Sequence, residues 1–137
     1  MYKVIIIEDD PMVASINKQY VELTSSFHVE ATFKNGILAL QYLQNCTVDL
    51  IILDYYTPQM NGDEFIDQLH AAGMTPAIIM VTSANDAETV RRLISRGVTD
   101  YLVKPFEYDR FKAALERFAK RQEELKTSAS ASDLGQA

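Results

Sequence analysis

The sequence predicts an α/β domain, a single five-stranded parallel sheet with helices on both faces. Three observations support this. Five short apolar runs alternate with five amphipathic stretches along the chain. The clearest runs, such as Val4-Ile5-Ile6-Ile7, show no polar alternation, as expected of strands buried on both faces. Turn and capping residues fall between the two kinds of segment, and right-handed crossovers restrict how the strands can be joined.

Taken in order, the first strand covers Val4 to Ile7. Asp10-Pro11 follows, an N-cap residue with proline at the first helical position. Val13, Ile16, Tyr20 and Leu23 recur at helical spacing. Phe27 to Phe33 alternates as a second strand and is broken by Asn35-Gly36, and Leu40 and Leu43 mark a short helix. Val48 to Leu53 is a buried strand with Asp49 at its start. Asn61-Gly62 reads as a turn, and Phe65, Ile66 and Leu69 define a third helix that Gly73 ends. Ala77 to Val81 is the fourth strand. Asp86 caps a helix bearing Val90, Leu93 and Ile94, which stops at Gly97. Val98 to Val103 forms the fifth strand, interrupted by Asp100 and ended by Pro105. Phe111, Ala114, Leu115 and Phe118 lie on one face of the last helix. These elements form one domain over residues 1–126. The Thr-Ser-Ala-Ser-rich stretch at 127–137 lacks periodicity and reads as a flexible tail or linker.

Composition narrows the function. The 137 residues are 47% apolar and 23% charged, the balance of a globular domain. Thirteen basic residues against nineteen acidic ones give a formal charge of −6, a poor basis for non-specific nucleic-acid binding. The single cysteine, Cys46, excludes an internal disulfide. No apolar run reaches the length of a membrane span, and the first residues lack a signal-peptide layout. A soluble, cytoplasmic protein without membrane contact is the expectation.

The unusual polar residues sit where open α/β sheets bind ligands, at the carboxyl ends of strands. Glu8-Asp9-Asp10 ends strand one, Asp54 strand three, Thr82-Ser83 strand four and Lys104-Pro105 strand five. Clustered carboxylates repel, by about 4 kcal/mol for a pair ~4 Å apart near a protein surface. A divalent cation removes the conflict. All-oxygen ligands suit Mg²⁺ or Mn²⁺, and the absence of His and Cys from the strand ends disfavours zinc. A carboxylate beside a hard cation, a hydroxyl and a lysine can accept a phosphoryl group as an acyl phosphate. Asp54 is the best-placed nucleophile because it ends the middle strand of the group.

Together these residues resemble the receiver domain of a bacterial two-component response regulator, from about Lys3 to about Arg121. The combination is specific: the acid pair, Asp54 with Pro58 and Gly62 after it, Thr82, and Lys104-Pro105. The resemblance implies a flavodoxin-like (βα)5 fold with strand order 2-1-3-4-5. It also implies the following roles. Asp54 is the phosphoacceptor. Asp9 is a direct metal ligand and Glu8 the neighbouring acid, with the backbone carbonyl of Tyr56 completing the protein's ligands to Mg²⁺. Thr82 and Lys104 meet the phosphoryl group, and Lys104–Pro105 is open to the cis state that X-Pro bonds permit. Tyr101 is the aromatic switch that moves with Thr82. Asp10 lies one position past the acid pair and is left to cap the first helix. Thr57 stands where receivers more often carry an apolar residue, and Tyr55 and Tyr56 are bulky for their positions, which bears on access of water and phosphodonor.

Glu8 to Ala14 and Asp100 to Glu107 look most like the citrate/C4-dicarboxylate-sensing regulators, in which a DNA-binding helix-turn-helix region follows the receiver. That region is absent here, so the chain is expected to be either a receiver cut from a longer protein or a free-standing one. The implied function is a phosphorylation-controlled switch and not an enzyme. Its partner is a sensor histidine kinase, a phosphorylation-dependent homodimer is possible, and DNA is reached only through an output region outside this chain. Three other functions fit less well. A phosphohydrolase needs a second acid two residues after Asp54, where Tyr56 stands. A flavodoxin-like cofactor binder needs a phosphate loop where Glu8-Asp9-Asp10 stands. A phosphorylation-independent interaction domain leaves the intact acid, threonine and lysine set without a purpose.

Overall fold

The computed structural model describes residues 1–83 and 86–136, with side chains described as far as Thr127. The strands are β1 (Tyr2–Ile7), β2 (Phe27–Phe33), β3 (Leu50–Asp54), β4 (Ala77–Thr82) and β5 (Asp100–Val103). The helices are α1 (Pro11–Leu23), α2 (Gly36–Leu43), α3 (Gly62–Ala71), α4 (Ala87–Ser95) and α5 (Tyr108–Gln136). All strand pairs are parallel, in the order β2-β1-β3-β4-β5, as the resemblance implied.

The apolar runs are buried on both faces because successive side chains point to opposite sides of the sheet. Val4, Ile6, Leu50, Ile52, Ile79 and Val81 pack on one face with Phe111, Leu115 and Phe118 of α5 and Val21 of α1. Ile5, Ile7, Ile51, Leu53, Ile78 and Met80 pack on the other with Ala39 and Leu43 of α2, Phe65, Ile66 and Leu69 of α3, and Leu93 of α4. Burial of each such large side chain contributes roughly 1.5–3 kcal/mol. The sheet therefore stays rigid while the loops at its carboxyl edge carry the polar groups.

Local signals start the helices. Asp10 accepts from the Met12 and Val13 N–H groups at 2.9 and 3.3 Å, with Pro11 opening α1. Asn61-Gly62 serves as a helix start, not as the free turn its sequence suggested. Asn61 accepts from the Glu64 N–H at 2.9 Å while the Glu64 side chain accepts from the Asn61 N–H at 3.0 Å, a reciprocal capping box. Gly73 and Gly97 follow α3 and α4 with φ of 73° and 90°. Asp100 begins β5 and does not interrupt it. It is buried and accepts from Arg110 at 3.0 and 3.3 Å.

The C-terminal segment carries one feature that the sequence did not show. From Thr127, where the composition reads as a flexible tail or linker, the backbone is helical to Gln136. Once a helix is nucleated, each further residue adds one hydrogen bond, and the alternating alanines of this stretch favour the helix. Ala137 lies outside the described residues. Among the described residues no helix is long and apolar enough to cross a membrane.

Candidate functional site

The parallel register brings the strand ends together. Ile7 pairs with Leu53, which puts Glu8 beside Asp54. Asp54 pairs with Val81, one residue before Thr82, and Thr82 pairs with Val103, one residue before Lys104. Backbone bonds extend the sheet past its formal ends, with Lys104 N–H donating to Thr82 O at 2.9 Å and Tyr55 N–H to Val81 O at 2.8 Å. The Lys104–Pro105 peptide bond is cis.

Carboxylate oxygens of Glu8, Asp9 and Asp54 lie within 4.8 Å of one another. Glu8 and Asp54 are buried, whereas Asp9 is exposed. Lys104 spans the two buried acids, donating to Glu8 Oε1 at 3.1 Å and to Asp54 Oδ2 at 3.3 Å. The second oxygens are also engaged: Glu8 Oε2 accepts from the Asp10 N–H at 3.2 Å and Asp54 Oδ1 from the Tyr56 N–H at 3.3 Å. Burial pushes the Glu8 carboxyl up to about 7 from 4.5, with the Asp54 charge adding to the rise. The Asp10 N–H and Lys104 oppose that rise without cancelling it. Lys104 is itself raised above 10.5, because the two carboxylates outweigh its own desolvation.

Three carboxylates facing one ammonium leave an excess of negative charge that a divalent cation would balance. The donors are all oxygen, which fits a hard cation. A cavity of about 320 Å³ opens beside Glu8 and Asp9, lined also by Lys18, Thr32 and Lys34.

The other expected site residues lie on β4, on β5 and on the loop after Asp54. Thr82 is fully buried at the end of β4. Tyr101 is half-buried and packs against the α2–α3–α4 layer of the core. Tyr56 is 57% exposed, on the loop after Asp54. Thr57 is buried, and its hydroxyl donates to Met60 O at 2.8 Å, closing that loop on itself.

Tyr55 is the bulky residue directly after Asp54. It turns inward, is 8% exposed, and bonds to Asp63 of α3 and Arg92 of α4. Residue-type reasoning missed this cluster because its members are far apart in sequence. The one local signal was a pair of arginines four residues apart, Arg92 on α4 and Arg96 at its C-cap.

A profile of the response regulator receiver domain matches residues 4–116. The chain belongs to that family. It is 41% identical over 132 residues to a protein described as a probable C4-dicarboxylate response regulator, DctR, of Halalkalibacterium halodurans, covering 93% of this chain and 57% of that one. It is 35% identical over 127 residues to the transcriptional regulatory protein MalR of Bacillus subtilis, covering 93% and 54%. The receiver chain thus spans about half the length of these curated relatives. Among solved structures, a signal receiver domain from Vibrio parahaemolyticus superposes with a TM-score of 0.83 at 27% identity, covering 93% of this receiver and 96% of that chain. The response regulatory domain of MrkE from Klebsiella pneumoniae, at 24% identity and a TM-score of 0.80, covers 89% and 98% and shares the fold.

Proposed function

We propose that this receiver takes a phosphoryl group from a phosphohistidine of a sensor histidine kinase onto Asp54. The observation that carries the reading is the meeting of Glu8, Asp9 and Asp54 within 4.8 Å, with Lys104 on two of them. A carboxylate oxygen of Asp54 forms the new O–P bond. The P–N bond breaks, its electron pair stays on the imidazole nitrogen, and that nitrogen picks up a proton. Glu8, Asp9, Asp54 and the Tyr56 carbonyl would hold Mg²⁺, or Mn²⁺ in its place. Bound there, the ion offsets negative charge on the phosphoryl oxygens. Lys104 exchanges its carboxylate partners for a phosphoryl oxygen, and the Thr82 hydroxyl donates a second bond. Tyr101, beside β4 on β5, follows Thr82 as the switch. The chain then acts as a signalling switch and not as a turnover enzyme.

Relatives named as transcriptional regulatory proteins, about twice as long, support a transcriptional output through a region outside this chain. In the same proposal, residues 1–126 are the receiver unit, 127–137 its connection, and the cytoplasm its location. A homodimer formed on phosphorylation belongs to the same reading. The test is labelling with acetyl phosphate followed by mass spectrometry of the intact protein. One added phosphoryl group is expected with Mg²⁺, none after chelation and none in Asp54→Asn. Labelling that persists in the Asn variant moves the acceptor elsewhere, and labelling that survives chelation removes the metal.

A further inference from the structure

Asp54 ends β3, and the next side chain, Tyr55, joins three elements. Its hydroxyl donates to Asp63 Oδ2 at 2.5 Å, in the first turn of α3. Arg92 of α4 donates through Nη2 to the same Asp63 oxygen at 2.9 Å and to the Tyr55 hydroxyl at 3.1 Å. Arg96, the C-cap residue of α4, places Nη1 3.4 Å from Asp63 Oδ1 and pairs through its other arm with Asp67. Asp63 Oδ1 is buried and has no hydrogen bond, so this ion pair is the contact that offsets its charge. Burial opposes ionisation of Asp63, but Tyr55, Arg92 and Arg96 together hold its carboxyl below 3.8.

Two further observations give the cluster mechanical weight. Leu93 is the one buried side chain described on α4, whereas α3 buries Phe65, Ile66 and Leu69. An element with little apolar burial opens at low cost, so its polar ties decide where it sits. The backbone is also shaped around the Tyr55 ring. A Cβ at position 62 would lie 2.7 Å from that ring, so only glycine fits where the Gly62 N–H donates to Tyr55 O at 2.9 Å.

We propose that Tyr55 is a positioning residue for the switch: through Asp63 it ties α4 to the residue after the phosphoacceptor, holding α4 in the unphosphorylated arrangement. This rests on Asp54 being the acceptor and adds how that site is regulated. Phosphorylation and release of Arg92 and Arg96 from Asp63 are then linked, and by reciprocity a weakened tie makes phosphorylation easier. Tyr55→Phe keeps the ring and removes the hydroxyl, and Arg92→Gln removes the tie from the other side.

Two readouts test it. Amide exchange in residues 87–95 of the metal-free protein should be faster in both variants and unchanged in β1 and β3. Affinity for beryllofluoride with Mg²⁺ should rise about fivefold or more in each variant, with the double variant gaining less than the product of the two. If the parent binds beryllofluoride and Tyr55→Phe binds it equally or more weakly, or if α4 exchange is unchanged, the tie is overturned. A parent that binds no beryllofluoride overturns the Asp54 reading and the coupling built on it.

Discussion

Glu8 is a carboxyl group held almost wholly out of water. Its side chain is 2% exposed and shares Lys104 with Asp54. With its carboxyl at about 7 instead of 4.5, folded Glu8 keeps a proton that the unfolded chain has already shed. Stability from this group is therefore greatest below pH 4.5, falls as pH climbs to about 7, and stays low above that. Asp63 acts in the opposite direction and only below pH 3.8, so the two windows are separate. The thermal midpoint without metal is expected to be higher near pH 5 than near pH 8. Glu8→Gln should flatten that slope, and millimolar Mg²⁺ should do the same by favouring the carboxylate. Midpoints measured across this range with and without Mg²⁺ check it, and an unchanged slope in Glu8→Gln assigns the dependence to another group.

At the scale of elements, the capping box of α3 secures the loop that follows Asp54. Asn61→Ala removes one of its two reciprocal bonds and should cost about 1 kcal/mol. In urea unfolding the midpoint should fall with no change in slope; a changed slope would mean that more than the cap had been lost. Some of these elements were legible in advance. The β1 and β3 runs are apolar because both faces are covered, and Asp10 and Asp86 cap their helices through bonds spanning two or three residues, whereas the sequence showed Asn35 and Asn61 only as a break and a turn. The site was legible for a related reason: once the strand order that the resemblance implied sets β1, β3, β4 and β5 side by side, Glu8, Asp54, Thr82 and Lys104 fall at one edge of the sheet. The role of Tyr55 was not legible, because Asp63 is eight residues away and Arg92 thirty-seven, and only the packed fold brings them together. The helical backbone beyond Thr127 was also hidden, since serine and alanine carry no periodic signal there.

For the molecule as a whole, α5 does two jobs along its length. Its first turns bury Phe111, Ala114, Leu115 and Phe118 in the core. Beyond Phe118 the described side chains are mostly exposed, with Tyr2 donating to Glu123 at 3.2 Å as an outlying contact. Deleting residues 127–137 should therefore leave the thermal midpoint within about 2 °C of the parent and the acetyl phosphate labelling intact. A larger drop in differential scanning calorimetry would show that the distal helix stabilises the body.

Lys104 gives the acidic hollow a counterweight encoded in the chain itself. Because this lysine already sits between Glu8 and Asp54, a newly made polypeptide can close its fold in magnesium-poor water. A cation taken up there, as proposed, would meet a finished vessel and would first have to loosen an internal occupant's grip.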